Sequence, residues 1–382
     1  MSDQFTKVTS ENYFQRLGSS FGGMVFGIIL MIIASILLLW NEGRDVDAKR
    51  GLNAGGRAVV SLTSTAPVPA NEGKLVHMTG QATTTAPVVD AELNVTFPNT
   101  LTLVRRVEMF QWVQQTSSTT KEKVGGTQET TTTYTYTKNW SETANDSSTF
   151  GQPAGHTNPE MPFTSSRLQA SDAKLGGFSL PVALLDQVST EAAAAPATAP
   201  EGWQKVGNSL YKGTGTPEAP AVGDIRVTYM PLASGTVLSV IGKQAGSTLE
   251  PWLSNNSNRE ILVAQQGMAS AALMIKDQKA AENILTWVLR LLGVGLNIGA
   301  FALLMGPLKA IGNVIPLVAS IIGGGVGLIA FGLGSALSLV LIAIAWFTFR
   351  PLISIGLIVA AIAAVYFFRS KRGAQAATPA NA

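Results

Sequence analysis

Phe21-Gly-Gly-Met-Val-Phe-Gly-Ile-Ile-Leu-Met-Ile-Ile-Ala-Ser-Ile-Leu-Leu-Leu-Trp40 is an unbroken run of apolar and small residues. At about 1.5 Å per residue it is long enough, as a helix, to cross a hydrocarbon core of roughly 30 Å. A second apolar block runs from about Leu291 to Phe368, and the polar stretch between the two is too long for a loop. The chain therefore folds in two solvents. The expected class is an integral membrane α-helical protein of about four spans, with a large β-rich (α+β) exoplasmic domain inserted between the first and second spans.

A cleaved leader needs an apolar core of about 7 to 15 residues and an A-x-A-like site. The first run is longer and ends in Trp40-Asn41-Glu42-Gly43-Arg44, an aromatic anchor followed by charge, so it reads as a retained signal anchor. Lys7 and Arg16 before it balance Arg44, Lys49 and Arg50 after it. Arg369, Lys371 and Arg372 follow the last apolar stretch and place the C-terminus in the cytoplasm, with Lys309 in a short loop agreeing.

The resulting division is a cytoplasmic tail over 1–20, a span over 21–40, the exoplasmic domain over 41–283, a second span over 284–306 and a cytoplasmic tail over 369–382. The region 313–368 is expected to hold two further spans joined near Arg350-Pro351. Its Gly323-Gly324-Gly325, Gly332 and Gly334 mark a stretch that is partly interfacial or re-entrant. Three spans there would put the C-terminus outside.

Charged residues make up 13% of the chain against a usual value near 25%, because the membrane segments dilute them. A net charge of +3 with scattered basic residues argues against a nucleic-acid partner. The absence of cysteine excludes disulfides, thiol nucleophiles and thiolate metal sites. Sequons begin at Asn94, Asn139, Asn145 and Asn255, and carry glycans only in a eukaryotic secretory lumen.

Within the middle segment, Arg57 to Leu62, Lys74 to Ala82, Leu101 to Gln115 and Thr130 to Trp140 read as strands, the last two joined as a long hairpin at Gly125-Gly126. Gly202 to Lys212, Asp224 to Met230 and Thr236 to Gln244 add shorter ones. Phe178 to Val188 reads as a short helix or loop, and the Ala- and Pro-rich 190–202 as a surface linker between lobes. An amphipathic helix is expected over 258–282, leading into the second span.

Several ordered blocks closely resemble the LUMA, or transmembrane protein 43, family. They are Asn41-Glu42-Gly43-Arg44; Arg105-Arg106-Val-Glu108-Met109-Phe110-Gln111-Trp112-Val113; the run from Tyr134 through Trp140 to Glu142; and His156-Thr-Asn158-Pro159. Gly223-Asp224-Ile-Arg226-Val, Gly295-Leu-Asn297 and Trp346-Phe-Thr-Phe-Arg350-Pro351-Leu352 continue the match in the same order. The resemblance implies four spans, cytoplasmic tails and a large domain in the lumen or its topological equivalent. It also implies self-association and, for animal members, binding of lamins and emerin at the endoplasmic reticulum and inner nuclear membrane. The Ala- and Thr-rich composition points to a bacterial member, for which the membrane would be the inner one and the domain periplasmic. No enzymatic activity comes with the family.

Candidate functional positions each have a plainer reading. Gly23 with Gly27, Gly295 with Gly299, and Gly323 with Gly327 are Gly-xxx-Gly pairs that favour close helix packing, although glycine is common in membrane helices. Asn297 is the candidate for an interhelical hydrogen bond. Arg290 and Arg350 read as interface anchors, along with Trp40, Trp287, Trp346, Arg369, Lys371 and Arg372.

Strand alternation sets Arg106 and Glu108 on one face and Arg105 on the other, with a solvated, ion-paired face as the expectation. His77 and His156 lack a ligand cluster, so no metal or cofactor is expected and turn-stabilising roles are. The leading functional reading is a non-enzymatic membrane scaffold whose partners are the bilayer, its own copies and other membrane or envelope proteins. A transporter or channel is the alternative, and an envelope- or lipid-acting enzyme comes last.

Overall fold

A computed structural model describes residues 3–123, 127–190, 192–312, 316–351 and 355. The chain divides into two compact units: residues 1–9, 51–121 and 129–278 form the first, and 10–50, 122–128 and 279–382 the second.

The first unit is built of β-sheet. Its strands begin with β1 (Asp3–Glu11), β2 (Val60–Ser61), β3 (Leu75–Thr83), β4 (Val88–Asp90), β5 (Val95–Phe97), β6 (Thr100–Glu122) and β7 (Gln128–Ser141). There follow β8 (Ser166–Gln169), β9 (Lys174–Leu175), β10 (Phe178–Ser179), β11 (Gln204–Val206), β12 (Ser209–Lys212), β13 (Ile225–Ala233), β14 (Val237–Ala245), β15 (Thr248–Glu250) and β16 (Val263–Gln266). One sheet has the order β1-β7-β6-β13-β12-β11, with β8 also on β6; a second has the order β16-β14-β15-β10-β9-β3-β2; and β4 and β5 form a small ribbon.

Period-two alternation explains the cores. On the first sheet Leu103, Val107 and Met109 of β6 meet Val227 and Tyr229 of β13, all fully buried. On the second sheet Val76 and Met78 of β3 join Leu238 and Val240 of β14 under Phe178, Leu184 and Leu185. The last two lie on a single-turn helix, α2 (Val182–Leu185).

Several expectations for this unit change. The proposed strand at Arg57 is helical to Ala58, and only Val60–Ser61 is extended. Residues 258–270 are not helical, because Ile261 and Val263 are β-branched residues drawn into a core with Leu52, Leu75 and Ile241. Gly267, at a φ of 87°, then breaks the strand, and Ser270 Oγ accepts the Leu273 N–H at the start of the helix. The 190–202 segment does not separate lobes: the Ala194 N–H donates to the Tyr229 carbonyl of β13 at 2.8 Å, and Pro196 is buried. The segment expected as a cytoplasmic tail carries strand β1, whose residues 3–9 belong to the first unit. The tip of the β6–β7 hairpin, at Gly125-Gly126, lies outside the described residues.

The second unit is helical. It comprises most of α1 (Tyr13–Ala58), with α3 (Ala271–Leu304) from Lys279 onward, α4 (Gly306–Gly312) and α5 (Pro316–Phe349). Among the described residues three helices, α1, α3 and Gly325–Phe349 of α5, are long and apolar enough to cross a membrane. The chain is thus a membrane protein of three candidate spans with a large β-rich region. The expected fourth span, beyond Pro351, lies outside the described residues, as do Arg369, Lys371 and Arg372.

Two differences matter here. The first span is not capped at Trp40; its helix runs on through Asn41 to Ala58, past seven charged residues, Glu42, Arg44, Asp45, Asp47, Lys49, Arg50 and Arg57. The Gly323-Gly324-Gly325 stretch does not break α5, which is one continuous helix.

Candidate functional site

The extension of α1 past Trp40 has a cause in its spacing. Glu42, Asp45 and Lys49 recur every three or four residues and so share one helical face. On α3, Glu282, Thr286 and Arg290 are spaced by four, as are Trp346 of α5 and Arg350, the residue just past its end. These three faces converge within the helical unit.

Arg290 donates to Glu42 through Nε at 2.5 Å and through its terminal nitrogen at 2.8 Å, a two-point pairing of guanidinium and carboxylate. The indole Nε1 of Trp346 donates to the same carboxylate at 2.9 Å. Glu42 is 1% exposed and Arg290 9%, so this pair is shielded from water. The Arg290 guanidinium also lies 4.9 Å from the ring centre of Trp287.

Asp45, fully buried, accepts from Thr286 Oγ at 2.9 Å and from Lys49 at 3.0 Å, and pairs with Arg350. Arg44 reaches Glu282 at 2.5 Å, and the Asn41 amide donates to the Thr286 carbonyl at 3.1 Å. Three carboxylates and four cations from three helices thus form one network. Arg290 and Arg350, expected to snorkel outward as anchors, turn inward because partners on α1 wait for them. Trp40 and Trp287 do face outward, 57% and 60% exposed.

Further into α3, Asn297 is fully buried and donates to Ser338 Oγ of α5 at 3.0 Å, while its Oδ1 has no partner among the described residues. Close approach there depends on Gly334, where a Cβ would lie 2.6 Å from Ile298 Cα.

The glycine pairs divide. A Cβ on Gly27 would meet the Ala300 carbonyl oxygen at 2.9 Å, and one on Gly23 would touch Leu303. Gly295, Gly299 and Gly327 face open space among the described residues, and the side-chain surroundings of Gly323 lie outside them. Gly43, against the Phe349 ring, and Gly293, against Leu38, are close contacts that the spacing rule missed.

In the β-rich unit, the family-motif residues are engaged in holding the fold. Arg105, 3% exposed, pairs with Asp90 at 2.8 Å and with Glu92, and Tyr229 donates to Asp90 at 2.6 Å. Burial works against the Arg105 charge, but these two acids raise its proton affinity above the ordinary value. Burial first, and then the Asp90 carboxylate, push the Tyr229 phenol up. Arg106 pairs with Glu142 on the surface, and Glu108 with Arg226, its register partner across β6 and β13. Arg226 in turn covers the ring of Trp140.

Asn158 imitates a neighbouring strand: its Oδ1 accepts the Trp112 N–H at 2.7 Å and its Nδ2 donates to the Trp112 carbonyl at 2.9 Å. Pro159 packs beneath Gly223, whose φ of 98° suits glycine. His156 is 2% exposed, stacked on Tyr136 at 3.8 Å and edge-on to Trp112, and it pairs with Asp3 at 3.0 Å. Tyr134 stacks on Phe5 at 6.0 Å.

Asp224 gathers the loop before its own strand, accepting from Tyr211 and from the main-chain N–H groups of Thr214, Gly215 and Ala221. Burial opposes its ionisation, but these donors outweigh that and hold the carboxyl below its ordinary value. Among the described residues no group of three or more His, Cys, Asp or Glu residues is placed to hold a metal ion.

This arrangement belongs beside the relatives of the chain. A family model described as transmembrane protein 43 matches residues 109–351. Transmembrane protein 43 of Mus musculus is 28% identical over 91% of this chain and 90% of its own length. The protein of that name in Homo sapiens is 28% identical over 89% of this chain and 88% of its own. A transmembrane protein 43 homolog of Drosophila melanogaster is 29% identical over 70% of this chain and 73% of its own. No solved structure matches. These relatives are animal proteins and lend no support to a bacterial origin. With more than half of its length under the family model, the chain belongs to the transmembrane protein 43 family.

Proposed function

We propose that the chain is a non-enzymatic, multi-pass membrane scaffold that self-associates and organises membrane or envelope protein complexes through its β-rich, exoplasmic body. The observation that carries this reading is the Glu42–Arg290 and Asp45–Arg350 network, which ties the described helices into one frame. A frame whose charges are spent on one another is suited to holding shape rather than to chemistry. The motif residues of the body serve its own rigidity in the same way, as Asn158 and Asp224 do. In a eukaryotic cell the membrane would be that of the endoplasmic reticulum and inner nuclear envelope, with the body luminal. In a bacterium it would be the inner membrane, with the body periplasmic.

The experiment is chemical crosslinking in native membranes followed by sizing in mild detergent. Oligomers, or a partner joined through the β-rich body, support the scaffold. A strictly monomeric protein with no partner captured through that body contradicts it.

One observation favours a transporter or channel instead. Asn297 lies about 15 Å along α3 from Trp287, near mid-membrane, with a buried oxygen that has no partner among the described residues. Solute flux in proteoliposomes that is lost in Asn297→Ala would establish that reading.

A further inference from the structure

The sequons beginning at Asn94, Asn139, Asn145 and Asn255 all fall in the β-rich unit, and their surroundings are not alike. Asn94 ends the turn between β4 and β5 at a φ of 53°, a left-handed conformation that asparagine tolerates. It is exposed, and so is Thr96, which stands on the face opposite the core that Val95 and Phe97 enter. Asn255 and Asn256 are both exposed, at the apex of a turn closed by the Ser257 N–H on the Ser254 carbonyl at 3.3 Å. Asn139 is exposed on β7, where its Oδ1 accepts the Trp140 N–H at 2.9 Å and leaves Nδ2 to a sugar.

Asn145 is held from every side. Its N–H donates to Gln111 at 2.8 Å, its carbonyl accepts from Asn158 at 3.1 Å, and its Nδ2, the atom a glycan would take, is buried.

We propose that Asn94, Asn139 and Asn255 carry N-linked glycans and that Asn145 stays bare. This rests on the luminal placement of the β-rich body in a eukaryotic cell given above, the setting in which such sequons are modified. In the transfer, Nδ2 forms a bond to C1 of the first sugar as the bond from C1 to a lipid-linked pyrophosphate breaks. One amide proton leaves, and the donor departs as the lipid pyrophosphate. The reaction meets the emerging chain, so the finished fold decides which products survive. A bulky polar chain on an exposed asparagine projects into water and costs the core nothing. On Asn145 it would stand between the loop and its partners Gln111 and Asn158 and keep the loop from closing.

The test uses the full chain made in cultured animal cells. Membranes are treated with peptide-N-glycosidase, which turns each modified asparagine into aspartate, and the sites are read by peptide mass. The expected result is a mobility shift on treatment, aspartate at positions 94, 139 and 255, and an unchanged pattern in Asn145→Gln. The control is Gly246→Asn, which creates a sequon with Ser247 and Thr248 at an exposed turn. Gly246 has a φ of 58° that asparagine accepts, and an added Cβ meets nothing within 4 Å. A glycan on Asn145, or bare native sites while the Gly246→Asn sequon is modified, overturns the proposal and leaves the placement of the body standing. If the Gly246→Asn sequon stays bare as well, the luminal placement fails and the proposal falls with it.

Discussion

Arg290 of the second membrane helix closes both arms of its guanidinium on Glu42 of the first, at 2.5 and 2.8 Å, in a position almost closed to water. Taking two charges out of water is costly, and removing one partner leaves the other charged and unpaired at about 3–5 kcal/mol. Glu42→Gln should therefore lower the thermal stability of the detergent-solubilised protein by about that amount. Lys309→Gln, at an exposed site, should not. Trp346→Phe, which removes only the indole donor to Glu42, should cost less, about 1 kcal/mol, in the same melting measurement.

Glycine substitutions separate packing within the chain from packing between chains. Gly334→Ala places a methyl 2.6 Å from backbone atoms of α3 and should destabilise the fold by about 1–3 kcal/mol, the usual cost of overpacking. Gly295→Ala and Gly299→Ala meet open space and should leave the melting temperature unchanged. If either shifts the oligomer distribution without moving the melting temperature, that face joins two copies.

Strand β1 makes a claim about the N-terminus that thiol chemistry can read, because the chain has no cysteine of its own. Phe5 stacks on Tyr134 at 6.0 Å. Phe5→Cys with Tyr134→Cys should be joined by a short bifunctional maleimide in intact membranes. Absence of the product, with both thiols shown to be reactive singly, would restore the cytoplasmic tail that the family resemblance implies.

Acid should loosen the β-rich body in a defined window. Asp224 is held below its ordinary value by Tyr211 and three main-chain donors despite burial, and Asp172 by the hydroxyls of Thr84 and Thr85. A group whose folded value is depressed stabilises the fold above its unfolded value, near 3.9 for Asp, and loses that contribution as pH falls toward the folded value. Unfolding followed by tryptophan fluorescence should therefore weaken progressively below about pH 4. Asp224→Asn should be less stable at pH 7 and show a shallower acid slope. An identical slope would remove Asp224 from the account.

Much of this architecture is legible in one sequence. Hydrophobic runs reveal the spans, and alternation reveals β3, β7 and β13, because both depend on local pattern. The overrun of α1 to Ala58 is not legible, since residues 41–50 look like a polar exit until Arg290 and Arg350, 248 and 305 residues beyond their partners, are known to pair with them. Four-residue spacing at Glu282, Thr286 and Arg290 is a signal that could have exposed the network. Alternation set Arg105 opposite Arg106 correctly, but which face is buried depended on Asp90 and Glu92, acids in a separate ribbon and turn. Ile261 and Val263 carried a pattern compatible with either a helix face or a short strand, and tertiary burial decided between them.

The most direct measurement is a charge exchange between Glu42 and Arg290 in the full-length protein. Glu42→Arg alone and Arg290→Glu alone each place like charges together at a buried site and should abolish stable expression in the membrane. The double exchange should largely restore it. Wild-type stability in either single variant, or a double variant no better than the worse single one, would contradict the pairing that holds the membrane frame together.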